Sequence, residues 1–218
     1  MFVQNDAQLR QDILSAVRTL EERRLNVGST GNVSVRHGQG LLITPTGATS
    51  DTLSADGIVS LTLGGQVLSG GIPSSEWAFH TTLLSDRPEF GAVIHTHADA
   101  CVALSCLRRA IPAFHYMIAS FGGDDVRCAD YAPFGSDALA QSASVAMQGR
   151  RACLLANHGM IVAGHDLAHA LQLAEKLETL ARQYLLACQA GDPVILSTAQ
   201  MAEVHARYAH YGRGPMPR

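Results

Sequence analysis

The sequence has few aromatic residues, little charge and almost no lysine. Aromatic residues make up 6% and charged residues 16% of its 218 positions, and Lys176 is its one lysine. The formal net charge is -3 and no run of basic residues occurs, so neither a nucleic acid nor an anionic membrane is expected as a partner. No unbroken apolar stretch reaches roughly 18 residues, the length needed to span a membrane.

Cysteine usage and the first residues favour the cytoplasm. The five cysteines are odd in number and form no Cys-x-x-Cys pair, which argues against a disulfide framework and fits a reducing compartment. The opening stretch, MFVQNDAQLRQDIL, has no basic segment followed by an apolar block, so we expect no secretory signal peptide. We therefore expect a cytoplasmic protein.

The domain organisation is simple, because no internal repeat, low-complexity segment or linker interrupts the chain. We expect residues 1–218 to form a single domain. Residues 6–24 carry apolar side chains at three- and four-residue steps, beginning with Leu9 and Ile13, which predicts an amphipathic helix. Asp6 is the expected N-cap of this helix.

Short β-rich pieces dominate from residue 28 to residue 70. NVSVR, LLIT, GIVSL and GQVL are separated by Gly, Thr, Asp and Pro, which predicts strands joined by tight turns. Further helices are expected over 75–85, 98–106, 166–189 and 197–210, and further strands over 91–95 and on both sides of an Asn-His-Gly turn within 151–163. This mixture predicts an α/β fold with a central, mostly antiparallel sheet flanked by helices.

The stretch VIHTHADA places two histidines at the end of an apolar strand. Side chains two apart on a strand point to the same side, so His95 and His97 can reach one ion together. His158 also ends an apolar run, and three neutral imidazoles with an open position are the donor set of a catalytic zinc site. The alternative is that these are ordinary packing or capping residues, since the chain has ten histidines. The other histidines, including His80, are assigned to the surface or the core.

Glu76, in PSSEWAFH, is the carboxylate best placed to move a proton near such a site. It stands at a predicted helix start, so the alternative is a carboxylate that only stabilises the helix N-terminus. In the functional interpretation, Ser74 and Ser75 bind an anion together with helix amides, while Glu76 faces the metal. GSTGNVSVR (28–36) and TPTG (44–47) are further candidates for an anion cradle, although ordinary turns explain them equally well.

Together, in this order, the segments GSTGNVSVR, LLITPTG, PSSEW, HTHA, IPAFHYM, YAPFGS and NHG resemble the class II aldolase/adducin family. The resemblance covers nearly the whole chain. It implies a zinc-dependent lyase that reversibly cleaves a ketose 1-phosphate into dihydroxyacetone phosphate and an aldehyde. The substrates it allows are L-fuculose 1-phosphate, ribulose 1-phosphate and 5-deoxy or methylthio pentulose 1-phosphates.

The resemblance also assigns roles to individual residues. It makes His95, His97 and His158 the ligands of one Zn2+ per subunit, and Glu76 the catalytic acid/base that also ligates zinc when no substrate is bound. The positions that match the phosphate site are Ser29, Asn32, Thr46, Gly47, Ser74 and Ser75. It implies that Tyr116 protonates the aldehyde oxygen from a neighbouring subunit, that Tyr211 lies near the aldehyde, and that the tail at about 197–218 covers the active site. The implied assembly is a homotetramer with sites between subunits.

Two departures from the family pattern affect different ends of the substrate. Gly-Ser-Thr-Gly-Asn stands where related sequences have Gly-Thr-Ala-Gly-Asn, and Ser29 keeps the hydroxyl group there. The C-terminal STAQMAEVHARYAHYGRGPMPR diverges more, which leaves the identity of the aldehyde open. No lysine lies near the motifs, which argues against a Schiff-base mechanism.

Two alternatives remain open at this point. The same fold acts elsewhere as a sugar-phosphate epimerase, decarboxylase or dehydratase, and the adducin branch uses it as a non-catalytic interaction module. The intact histidines and Glu76 argue against the non-catalytic alternative. Three imidazoles also bind divalent metals other than zinc, so the sequence leaves the metal open.

Overall fold

The computed structural model describes residues 5–210. The strands are β1 (Asn32–His37), β2 (Gly40–Ile43), β3 (Val59–Thr62), β4 (Val67–Ser69), β5 (Ala92–Thr96), β6 (Ile111–Pro112), β7 (Asp125–Ala129), β8 (Ala152–Leu155) and β9 (Gly159–Gly164). The α-helices are α1 (Asp6–Glu22), α2 (Trp77–Asp86), α3 (Asp99–Cys106), α4 (Asp137–Ala146), α5 (Leu167–Ala190) and α6 (Thr198–His210). Short 3-10 helices span Ala55–Gly57 and Tyr116–Phe121.

The strands form one nine-stranded sheet in the order β4-β3-β2-β1-β5-β9-β8-β7-β6. Neighbouring strands are antiparallel except β7 and β8, which run parallel. The predicted fold class, a mostly antiparallel sheet flanked by helices, is therefore confirmed. In this order β5 lies between β1 and β9, so the strand that carries His95 is central and buried on both faces.

Helices cover both faces of the sheet. Successive side chains of a strand point to opposite faces, so the apolar side chains of the central strands need helices on each face to bury them. Ile94 belongs to one apolar cluster with residues of α1, α3 and α5, whereas its neighbour Val93 belongs to a second cluster with residues of α2 and α4. The first cluster is larger because α5 lays one long apolar stripe along its face. The two layers of helices meet the same central strand, and this is where the site lies.

The first helix begins as predicted but is capped differently. Asn5, rather than Asp6, is the N-cap, and its side-chain oxygen accepts a hydrogen bond from the Ala7 amide at 3.2 Å. Asp6 is the first helical residue, and its carboxylate instead pairs with Arg10 at 2.5 Å on the next turn. A carboxylate in the first turn is stabilised by the helix dipole, so Asp6 interacts favourably with the N-terminus of α1 although it is not the N-cap.

The C-terminal segment is described only in part. Helix α6 packs on the 3-10 helix Tyr116–Phe121, with Met201 buried against Ala113 and Ala119. Residues 211–218, with Tyr211, lie outside the described part of the chain, so the covering role of the tail stays a prediction. Within residues 5–210, no helix is long and apolar enough to cross a membrane.

Candidate active site

Four side chains that are distant in sequence converge at one end of β5. Glu76, His95, His97 and His158 each offer a ligand atom, and these atoms all lie within 4.8 Å of one another. His95 Nε2 is 2.9 Å from His97 Nε2 and 3.2 Å from Glu76 Oε2. His158 Nε2 is 3.3 Å from Glu76 Oε1. The structure thus brings together the whole predicted metal-ligand set.

Different elements place these four groups. His95 lies inside β5, while His97 follows one residue beyond its last residue, Thr96. His158 lies in the turn between β8 and β9, and Asn157 before it adopts a left-handed backbone conformation with φ of 56°. Glu76 occupies the N-cap position of α2 but makes no side-chain capping hydrogen bond, because its carboxylate turns towards the histidines. The capping alternative for Glu76 is therefore not what the structure shows.

Two glycines allow the backbone to approach this centre closely. A Cβ atom on Gly159 would lie 2.5 Å from the Thr96 carbonyl oxygen and 3.1 Å from the His97 ring. A Cβ on Gly31, whose φ is +73°, would lie 2.6 Å from the His95 carbonyl oxygen. Real Cβ atoms essentially never come within 3.0 Å of such atoms, so the two carbonyl contacts require glycine at both positions for the strands to pack as they do.

The orientation of the His95 ring is fixed by a backbone contact. His95 Nδ1 lies 2.9 Å from the Met160 carbonyl oxygen, which can only accept, so Nδ1 carries the hydrogen. A neutral ring then presents the lone pair of Nε2 to Glu76 Oε2 and His97 Nε2. The His95 lone pair and the carboxylate oxygen are both acceptors, and at 3.2 Å they repel unless a cation lies between them. The donor set and its orientation by a backbone carbonyl fit a divalent metal ion.

The protonation states of these groups also favour a cation. Burial raises the pKa of Glu76, but the contacts of its carboxylate with His95, His158 and the Asn32 amide outweigh burial and lower this pKa to about 2. Burial, followed by the charge of His95, lowers the pKa of His97 and of His158 to about 4. At neutral pH an ionised Glu76 therefore stands near the neutral rings of His97 and His158, which is the state that binds metal.

A cavity of about 480 Å³ opens in front of the cluster. All of the residues predicted to bind phosphate line it, together with Glu76, His97 and His158. Those predicted phosphate-site residues are Ser29, Asn32, Thr46, Gly47, Ser74 and Ser75. One cavity therefore joins the metal-ligand cluster to a wall rich in hydroxyl groups.

The hydroxyl wall is held by backbone contacts between two chain segments. The Ser74 amide donates to the Thr44 carbonyl at 3.0 Å, and the Thr46 amide donates to the Ile72 carbonyl at 3.1 Å. The amides at the start of α2 are also paired locally, since Glu76 N donates to Ser74 Oγ at 3.3 Å and Trp77 N donates to the Ser74 carbonyl at 3.1 Å. Among these residues, an anion would therefore meet side-chain hydroxyls more than the helix-start amides that the sequence favoured.

Of the two predicted tyrosines, Tyr116 is not among the residues that line this cavity. Tyr116 is 47% exposed and lines a different cavity of about 540 Å³, beside Met117, Lys176 and Tyr208. A role for Tyr116 at the cluster therefore needs a second copy of the chain. Tyr211 lies outside the described residues, and its predicted role is untested.

Several residues of the site received no role from the sequence. Tyr131 and Phe134, 58% and 73% exposed, stand on the cavity wall with Asn157. Arg108 donates to Asn157 Oδ1 at 2.9 Å and lies over the Tyr131 ring at 5.8 Å. Only the motif YAPFGS signalled part of this wall. An arginine that reaches the site from the end of α3 leaves no local sequence pattern.

Comparisons with known proteins agree with this geometry. A model of the class II aldolase and adducin N-terminal domain matches residues 11–185. The 5-methylthioribulose-1-phosphate/5-deoxyribulose-1-phosphate aldolase of Rhodospirillum rubrum is 46% identical over 204 residues, which cover 94% of this chain and 92% of that protein. The L-fuculose phosphate aldolase of Escherichia coli K12 is 42% identical over 206 residues, which cover 94% of this chain and 96% of that protein.

The fold agrees as well. A solved structure of an L-fuculose 1-phosphate aldolase superposes with a TM-score of 0.90 at 38% identity, covering 93% of this chain and 96% of that one. The matched region includes every element that carries a member of the metal-ligand cluster. The chain belongs to the class II aldolase/adducin family.

Proposed function

We propose that this protein is a metal-dependent aldolase that reversibly cleaves a ketose 1-phosphate into dihydroxyacetone phosphate and an aldehyde. The observation that carries the proposal is the single cavity in which the cluster of Glu76, His95, His97 and His158 meets a wall of hydroxyl groups. A phosphate held at the wall leaves the carbon chain of the ketose directed at the cluster. The names of the relatives, which are aldolases for such substrates, support the same reaction.

His95, His97 and His158 are the proposed ligands of the metal ion, with Glu76 as a fourth ligand in the absence of substrate. Zinc is the metal we propose, because three imidazoles with an open position are its typical catalytic set. When bound, the ion supplies Lewis-acid stabilisation of negative charge on the substrate oxygens. The neutral state of His97 and His158 at pH 7 supports ligation without loss of a proton.

Glu76 is the proposed acid/base. In the cleavage direction the C4 hydroxyl loses a proton and C3 gains one, so the reaction consumes no proton overall. Glu76 exchanges the proton at C3: its carboxylate is ionised at neutral pH, which is the form that can accept that proton in the condensation direction. The partner subunit's Tyr116 is proposed to exchange the proton at the aldehyde oxygen, and Tyr211 to lie close to it.

Ser29, Asn32, Thr46, Gly47, Ser74 and Ser75 are the proposed phosphate site. Their contribution is orientation, because a phosphate fixed away from the reacting carbons turns binding energy into alignment. Tyr131 and Phe134 present apolar surface on the same cavity wall. An aldehyde with a methyl or methylthio end fits such a surface, so 5-deoxy and methylthio pentulose 1-phosphates stand beside L-fuculose 1-phosphate as proposed substrates.

The assembly and location follow as further parts of the proposal. We propose a homotetramer with active sites between subunits, since Tyr116 is exposed and absent from the cavity of its own chain. A cytoplasmic location is supported by five free cysteines, Cys101, Cys106, Cys128, Cys153 and Cys188. Size measurement by light scattering tests the tetramer directly.

The test is a cleavage assay on zinc-loaded protein. L-fuculose 1-phosphate, ribulose 1-phosphate, 5-deoxyribulose 1-phosphate and methylthioribulose 1-phosphate are offered, and release of dihydroxyacetone phosphate is coupled to NADH oxidation. We expect cleavage that a chelator abolishes and zinc restores. Absence of cleavage across this panel, in protein shown to hold zinc, would refute the proposal and favour the epimerase, decarboxylase or dehydratase chemistry of the fold.

A further inference from the structure

A row of buried polar side chains runs from Glu76 away from the cavity and into the core. Asn32 Nδ2 donates to Glu76 Oε2 at 3.0 Å, and Asn32 Oδ1 lies 2.5 Å from His80 Nε2. On the other side of the ring, His80 Nδ1 lies 2.7 Å from Ser34 Oγ. His80 and Ser34 have no solvent exposure, and Asn32 is 5% exposed. Asn32 also lines the cavity, whereas His80 and Ser34 do not.

The direction of every hydrogen bond in this row follows from the carboxylate. An ionised carboxylate only accepts, so the Asn32 nitrogen faces Glu76 and the Asn32 oxygen faces His80. That oxygen also only accepts, so His80 carries its hydrogen on Nε2. His80 Nδ1 then accepts from the Ser34 hydroxyl, which completes the row. Burial, followed by the charge of His95, lowers the pKa of His80 to about 3, so the ring is neutral and has one such hydrogen.

The opposite tautomer of His80 would reverse the direction of the hydrogen bonds in this row. With the hydrogen on Nδ1, the Nε2 lone pair would attract the Asn32 nitrogen, and the carboxamide would rotate. The Asn32 oxygen would then face Glu76 Oε2, and two acceptors at hydrogen-bond distance repel. Because the Ser34 hydroxyl can donate or accept, it satisfies either tautomer, and the choice depends on the bonds among His80, Asn32 and Glu76.

The two oxygens of Glu76 are left in different states by this arrangement. Oε2 accepts from Asn32 and lies 3.2 Å from His95 Nε2. Oε1 accepts no hydrogen bond from any residue within 5–210, although it lies 3.3 Å from His158 Nε2. A carboxylate held through one oxygen keeps the other at a fixed place, which is what a proton transfer to a defined carbon requires.

We propose that His80, supported by Ser34, is a positioning residue: it fixes the Asn32 carboxamide so that Glu76 is held through Oε2 and exchanges its proton through Oε1. The inference rests on the proposed function only in giving Glu76 its acid/base role. It also gives Asn32 a second task beside the phosphate, since its nitrogen has two hydrogens and the bond to Glu76 uses one.

Two variants separate the hydrogen bond from the volume of the side chain. His80→Leu removes the donor to Asn32, whereas His80→Gln keeps an N–H group that can reach the same oxygen. For His80→Leu we expect kcat on the best ketose 1-phosphate to fall by about 10- to 100-fold, the usual effect of losing a partner behind a catalytic ligand. KM is expected to rise less than kcat falls, because Asn32 is the only one of the six proposed phosphate-site residues that hydrogen-bonds to His80. His80→Gln restores most of kcat.

Thr81→Val is the matched control on the same helix. Thr81 is buried beside His80, and its hydroxyl donates to the Ala78 carbonyl at 2.9 Å without touching the row. It is expected to keep kcat while losing one buried hydrogen bond. Wild-type kcat in His80→Leu would overturn the proposal, and so would an equal loss of kcat in His80→Gln and His80→Leu.

Nitrogen NMR tests the same inference without turnover. In metal-loaded protein labelled with 15N-histidine, the ring signal that disappears in His80→Gln is expected to show a neutral ring protonated on Nε2. A ring protonated on Nδ1, or a doubly protonated ring at pH 7, would overturn the proposal. If the wild-type protein cleaved no ketose 1-phosphate, the proposed function would fail. The tautomer of His80 would still show in which direction the hydrogen bonds among Ser34, His80, Asn32 and Glu76 run.

Discussion

Replacing Glu178 should lower the stability of the protein, because this residue caps the start of α3, the helix that follows the candidate metal ligand His97. Glu178, on α5, is 6% exposed, and its two carboxylate oxygens accept hydrogen bonds from the backbone amides of Ala100 and Cys101, each at 3.0 Å. The N-cap residue of α3, Ala98, has no side chain that can perform this task. A residue from another helix therefore supplies the cap.

The magnitude follows from those two contacts. A hydrogen bond to a charged group contributes about 1.5–3 kcal/mol, and burial of the carboxylate offsets part of it, so the lower value applies to each. Glu178→Ala is expected to lower the free energy of unfolding by about 3 kcal/mol, which corresponds to about 6–12 °C in Tm for a chain of this length. Glu178→Gln keeps one acceptor oxygen and should lose about half as much.

Urea and thermal unfolding of zinc-loaded protein measure these changes. Glu175→Ala is the control on the same helix, because Glu175 pairs with Arg23 at the surface and such pairs contribute about 0–1 kcal/mol. Zinc occupancy should also fall in Glu178→Ala, since α3 begins two residues after His97. Unfolding of Glu178→Ala indistinguishable from that of Glu175→Ala would refute the reasoning.

Three further predictions concern the cluster itself. Gly159→Ala should lower zinc affinity and destabilise the fold by about 1–3 kcal/mol, because its Cβ would overlap the Thr96 carbonyl; zinc titration and urea unfolding measure both, and wild-type affinity would contradict the steric argument. Glu76→Gln should keep zinc and lose most turnover, whereas His95→Ala should lower zinc occupancy, as metal analysis and the aldolase assay will show; near-normal turnover of Glu76→Gln would reject its acid/base role. In chelator-treated protein, the folded-state pKa values of His97 and His158 lie near 4, below the usual 6.5. Between pH 6.5 and pH 4 the unfolded chain therefore binds more protons than the folded one, and the free energy of unfolding should fall as the pH is lowered through this range. A urea midpoint that does not change between these pH values would contradict the prediction.

Local patterns predicted most of the fold, because most elements carry a clear period or clear boundaries. The apolar steps of α1 and α5 and the Gly-bounded strands β1 to β3 are of this kind. No local pattern predicted α4, β6 or β7. Helix α4 reads DALAQSASVA, where small residues leave no distinct apolar stripe, and β6 is only Ile111–Pro112. Such elements are defined by the neighbours they pack on.

The site was predictable where chemistry repeats along the chain and unpredictable where it depends on contacts across the fold. Alternation on a strand placed His95 and His97 together, although His97 lies just beyond β5. His80 was assigned to surface or core, because a lone histidine on a buried helix face has no local signature. Its link to Asn32 joins residues 48 apart in sequence. The link depends on the register of β1 beside β5, which pairs Asn32 with His95, and on the packing of α2, which carries His80.

The candidate metal ligands belong to segments that pack on opposite faces of the sheet. Glu76 opens α2, whose apolar residues join one core cluster, and His97 precedes α3, whose residues join the other. An ion bound by both, and by His158, would act as a cross-link that closes a loop of chain from residue 76 to residue 158. Metal binding is then expected to tie the two layers into one cooperative unit. Chelation would loosen the junction between the layers, and hydrogen exchange would rise far from the ligands as well as beside them.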